Sequence, residues 1–157
     1  MPTIREHIEA IVNSLAIPGD PGTPAPSFSY TKEQEENSIA AYTDYTNSHI
    51  TLREIEEGGI TVVNNGHKDD FILTLQFLKK ADPDFTAVQH DAIIEAMRTV
   101  VSKFISKYNK YRVNHMQVFE EIERVKLVSI TNEYDESLSG LEAQFTARLI
   151  MPRGVCI

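Results

Sequence analysis

The chain has 157 residues, an apolar share of 41%, a charged share of 24% and a net charge of −8 from 15 basic and 23 acidic side chains. That length suits one domain with a real hydrophobic core and is short for two. The acidic balance argues against a protein that grips nucleic acid, which needs Lys and Arg to displace counterions, and no run approaches the roughly 18 apolar residues of a membrane span.

The opening residues MPTIREHIEAIVNSLA carry acids within a broken apolar pattern, unlike a secretory signal. One cysteine, Cys156, excludes an internal disulfide and fits a reducing cytoplasm. Thr3 can cap a helix, with Glu6 at the capping-box spacing, and Ile4, Ile8, Ile11, Val12 and Leu15 recur at helical steps. IPGDPGTPAP (17–26) stops it, because four prolines and two glycines specify a loop.

Residues 28–63 are the least patterned. FSYT reads as a short strand, KEQEEN is polar, and SIAAYTDY fits helix or strand. ITLREI alternates weakly, ITVV after Gly58 and Gly59 reads as a strand, and NNGH (64–67) is a turn. In DDFILTLQFL, Phe71, Leu73, Leu75 and Phe77 point one way, against Ile72, Thr74, Gln76 and Leu78, which predicts a long central strand.

Thr86 and Gln89 repeat the capping-box spacing ahead of the longest helix. Its stripe is Ile93, Ile94, Met97, Val100, Val101, Phe104, Ile105 and Tyr108. YNKYRVNHMQ then reads as a polar connection, with a helical turn as the alternative. EIERVKLVSIT is rich in β-branched residues and reads as a strand, and GLEAQFTARLI, opened by Gly140, alternates cleanly. Joined by NEYDESLSG, the two predict an antiparallel hairpin. The order predicts one α+β domain over 1–157: a mainly antiparallel sheet, an N-terminal helix and one long helix on one face, and a C-terminal hairpin.

The candidate chemistry is weaker. Glu133, Asp135 and Glu136 crowd one connection, but with Asn132, Gly140 and Glu142 they do not make the spacing of a calcium loop. A polar strand connection also lacks the enclosure that makes a carboxylate pair catalytic, so the segment reads as a turn. His7, His49, His67, His90 and His115 share no metal-ligand spacing and read as solvated or interface histidines. Cys156 lies in a tail, no G-x-S-x-G elbow occurs, and Gly58-Gly59 lacks the lysine of a phosphate loop. Lys103 to Arg112 reads as a solvated helix end whose cations complement the dipole. Catalytic, cofactor-binding and metal residues are therefore all expected to be none, and the chain is expected not to be an enzyme.

Three stretches carry a resemblance: Phe77 to Ala81, Asp82 to Phe85 before the long helix, and Tyr134, Asp135, Leu138, Gly140 and Phe145 in the hairpin. Over roughly 60–157, ending in GVCI, the chain resembles neck or tail-completion (tail-terminator-like) ring proteins of tailed bacteriophages. It is most similar to those of crAss-like and other Bacteroidales phages. The resemblance implies a structural virion protein that forms a homo-oligomeric ring of six or twelve subunits between portal and tail. Such a ring contacts adjacent neck, portal or tail proteins, and genomic DNA passes through it without specific binding. It implies a place in the virion tail or neck, with assembly in the host cytoplasm and no membrane. The acidic charge suits a channel wall that repels phosphates over about a Debye length, roughly 8 Å at physiological salt. The competing expectation is a small cytoplasmic binding module that recognises a protein through a sheet edge. An enzyme with an acidic site ranks last.

Overall fold

The computed structural model describes residues 3–15, 27–30, 49–63, 66–80, 84–114, 120, 122–133 and 138–152. The elements are α1 (Ile4–Asn13), β1 (Ser27–Tyr30), β2 (His49–Val63), β3 (Gly66–Lys80), α2 (Ala87–Asn114), β4 (Lys126–Glu133) and β5 (Leu138–Pro152). The strands form one sheet in the order β1-β2-β3-β5-β4, and only the β1–β2 pair is parallel. The architecture is α+β, with both helices on one face and β4–β5 as the expected hairpin.

Both helix starts follow the sequence. The Thr3 N–H donates to Glu6 Oε2 at 2.6 Å and the Glu6 N–H to Thr3 Oγ1 at 3.3 Å, a reciprocal capping box. At α2 the Thr86 N–H donates to Gln89 Oε1 at 2.8 Å and the Gln89 N–H to Thr86 Oγ1 at 3.4 Å. Each box satisfies amide groups that a helix end otherwise leaves open.

The core forms where the two helical stripes meet one face of the sheet. Ile8, Ile11 and Val12 of α1 and Met97, Val101, Phe104 and Tyr108 of α2 pack with Ile50, Leu52, Leu73, Leu75 and Phe77. Leu141, Ala143, Phe145, Ala147 and Leu149 of β5 complete it. Cross-strand pairing explains the alignment: Leu73, Leu75 and Phe77 stand opposite Phe145, Ala143 and Leu141.

Two expectations need correction. β2 is one strand of 15 residues, not two short ones. Register shifts at Leu52/Glu54 and Glu57/Gly59 insert an extra residue each. The first shift changes the core-facing spacing from two to three, so Ile50, Leu52 and Ile55 all face the helices while the sequence alternates only weakly. α2, in turn, runs on to Asn114, further than the single helical turn allowed within YNKYRVNHMQ. Tyr108 and Tyr111 continue the stripe of Phe104 at steps of four and three, and Tyr108 is fully buried. The Pro/Gly-rich segment 17–26 lies outside the described residues.

Candidate functional site

The sheet face turned away from the two helices carries the polar half of each alternating strand. β3 contributes Lys68, Asp70, Thr74 and Gln76, and β5 contributes Glu142, Gln144, Thr146 and Arg148. Pairing sets Asp70 directly opposite Arg148. Arg148 holds it with a two-pronged fork, Nε to Oδ1 at 2.6 Å and Nη2 to Oδ2 at 3.2 Å.

Glu120 closes this cluster from the segment before β4. Its Oε2 accepts from Arg148 Nη1 at 3.1 Å, its Oε1 accepts from Lys68 Nζ, and its backbone N–H donates to the Arg148 carbonyl at 3.0 Å. The Lys68 hydrogen bond, helped by Arg148, holds the Glu120 carboxyl below its ordinary range against the opposing effect of burial. Asp70 first, then Glu120, raise the already basic Arg148 further. These groups line a cleft of about 260 Å³ with Glu123, Arg124 and Thr146.

Chemically the cluster is a clasp. Its two cations and two carboxylates offset one another's charge within one hydrogen-bonded group. It fixes the chain ahead of β4 onto the strands β3 and β5. A second polar group sits nearby on the same face, where Glu142 Oε2 accepts from Gln76 Nε2 at 3.2 Å and from Arg53 Nη1 at 3.0 Å.

The expectation of solvated or interface histidines needs correction for three of them, His7, His49 and His90, which are buried within the chain itself. His7 Nδ1 lies 2.7 Å from the Tyr111 hydroxyl and ties α1 to α2. His90 Nδ1 lies 3.1 Å from Ser139 Oγ and ties the start of α2 to β5. His49 is 1% exposed and pairs with Leu78 across the sheet. Partners far away in sequence bury these rings, so local pattern carried no sign of it. His67 Nε2 lies 3.3 Å from Asp69 Oδ1 on the turn end of β3. Glu133 ends β4, while Asp135, Glu136, His115 and Cys156 lie outside the described residues. Among the described residues no group of three His, Cys, Asp or Glu side chains is placed to hold a metal ion.

Sequence reading missed the clasp, although its signal was partly present. Lys68, Asp70 and Arg148 all fall on the polar side of alternating strands, but only the β3–β5 register sets Asp70 against Arg148. Nothing in the sequence around Glu120 points to it.

Burial gives His49 a pH consequence. Desolvation disfavours its charged form and lowers its pKa from 6.5 to about 4. A base depressed by folding adds stability above the unfolded value, and that stability is lost as pH falls from 6.5 towards 4. By pH 5 the loss should reach about 2 kcal/mol, and His49→Gln should flatten that part of the profile. Urea midpoints at pH 7, 6 and 5 test this; equal slopes in parent and variant would disprove it.

No known protein family matches the chain, and no curated protein matches it in sequence. Among the described residues no helix is long and apolar enough to cross a membrane.

Proposed function

We propose that this chain is a structural, non-enzymatic subunit of a phage virion, assembling into a ring of the neck or tail connector that shapes the DNA channel. One observation carries the assembly part of this reading: β2 is exposed along 56–62, with Ile60 at 68% and Val62 at 83% exposure. β1 pairs with β2 only as far as Leu52, so beyond it β2 has a strand partner on one side alone among the described residues. A long strand edge bearing apolar side chains is an aggregation hazard unless another chain covers it. The virion assignment rests on the sequence resemblance, and the net charge of −8 suits a channel that DNA must cross without sticking.

Native mass spectrometry and negative-stain microscopy of the purified chain test it. A closed ring of one copy number, formed alone or with connector neighbours, is the expected result. A chain that stays monomeric in both settings would overturn it. That outcome would favour the second reading, a binding module that adds a partner's strand to the same β2 edge.

A further inference from the structure

Beyond Leu52, where pairing with β1 stops, β2 is paired only with β3 among the described residues. Glu57, Ile60 and Val62 stand opposite Phe71, Asp69 and His67, so all three point to the helix side of the sheet. Each is exposed, and together they give this flank an acid followed by two β-branched apolar side chains. The bulge at Glu57/Gly59 sets the six residues from Glu57 to Val62 against only five of β3, 67–71. A partner strand of five residues therefore spans the same stretch.

β5 ends at Pro152, and the sequence continues as RGVCI (153–157). Its alternate residues Arg153, Val155 and Ile157 are a cation followed by two β-branched apolar side chains. They complement Glu57, Ile60 and Val62 in the same order along the chain. Gly154 and Cys156 fall between them, at the levels of Gly59 and Thr61, which belong to the other face of the sheet.

We propose that 153–157 of one copy adds to β2 of the next as a parallel strand, with Arg153 against Glu57, Val155 against Ile60 and Ile157 against Val62. This rests on the ring reading and names the segment that covers the open edge. Opposite charges and paired β-branched side chains across the new ladder favour this register, and the edge's free backbone groups gain partners. The surface given and the surface received differ, as the heterologous contact of a closed ring requires. The pairing begins at Glu57, five residues past Leu52, so the added strand stays clear of β1. The donor chain leaves the line of its own β5 at Pro152, which has no N–H to carry a ladder onward.

Geometry makes the donor a second copy rather than the same chain. Pro152 pairs with Gly66 and Gly66 with Val63, so β5 ends level with the tip of the β2–β3 hairpin. From there the far side of β2 is three strand spacings away, about 14 Å, and Glu57 lies six residues back from the tip, about 20 Å. Arg153 follows Pro152 directly, and consecutive Cα atoms are only about 3.8 Å apart. A chain's own Arg153 therefore falls far short of its own Glu57.

The register sets Thr61 of one copy beside Cys156 of the next, and Cys156 is the chain's single cysteine. Thr61→Cys in the otherwise native full chain should therefore give a ladder of covalent oligomers on oxidation. Thr61→Cys with Cys156→Ser should give none. Glu57→Arg should melt like the parent, because Glu57 is exposed, yet weaken subunit association by about tenfold or more, since like charges then face each other. Arg153→Glu should weaken it similarly, and the two changes combined should restore the parental rings in native mass spectra. Disulfides closed within single chains would refute the segment assignment. So would parental rings that survive both charge changes with no ladder from Thr61→Cys; the ring reading would then stand without it. A parent that forms no ring overturns both.

Discussion

Replacing Gly140 by alanine should destabilise the fold by about 3 kcal/mol or more, a fall in Tm of roughly 10 °C for a chain of this size. Gly140 lies inside β5, paired with Leu78 on one side and Ile130 on the other. A Cβ there would fall inside the Phe77 carbonyl group, 2.9 Å from its carbon, and 3.1 Å from the Leu78 Cα. The obstructing atoms are backbone of the central strand, so no side-chain rotation relieves the clash and β3 must move away from β5. Gly59 is the useful comparison. Its φ of +116° strains any other residue, but a Cβ there meets nothing within 4 Å. Gly59→Ala should therefore cost only about 1–2 kcal/mol of backbone strain. Guanidinium midpoints rank the two, and a Gly140→Ala cost equal to or below that of Gly59→Ala would refute the close-approach argument.

Gly140 also shows how far the sequence could be read. As the residue opening a clean alternation it looked like a strand start, whereas β5 begins at Leu138 and the glycine serves a contact with β3. The regular elements were legible because their signals are local: two capping boxes, two helical stripes and the alternations of β3 and β5. β2 was broken in the reading because its bulges break the two-residue period that marks a strand. The long helix runs further than its stripe suggested because Lys107, Lys110 and Arg112 look like a solvated helix end, whereas Tyr111 carries the core-facing side on past Tyr108. The buried histidines and the Arg148 clasp were invisible for a different reason. His90 meets Ser139 across 49 positions and Arg148 meets Asp70 across 78, so only the folded register brings them together.

Phe104→Ala should be costly as well, at about 4 kcal/mol, a large part of the 5–15 kcal/mol that holds a typical domain folded. Phe104 is 1% exposed, and its ring lies between three others: Phe77 at 5.8 Å, Phe145 at 5.9 Å and Tyr108 at 6.3 Å between centroids. The Phe77 contact is edge-to-face at 70°, and the Phe145 contact is tilted at 51°. Truncation would remove contacts from both central strands at once, and α2, crossing them as a rigid rod, cannot move in to fill the space at one position alone. Phe104→Leu keeps most of the volume and should cost less than about 2 kcal/mol. Lys103→Ala, exposed one residue earlier, should stay within about 0.5 kcal/mol. Denaturant titration separates these, and a Phe104→Ala cost near that of Lys103→Ala would mean that the aromatic cluster does not hold helix to sheet. The same series separates folding from assembly. The β2 edge proposed for assembly leaves α2 untouched, so Phe104→Leu should melt earlier than the parent while forming the same rings.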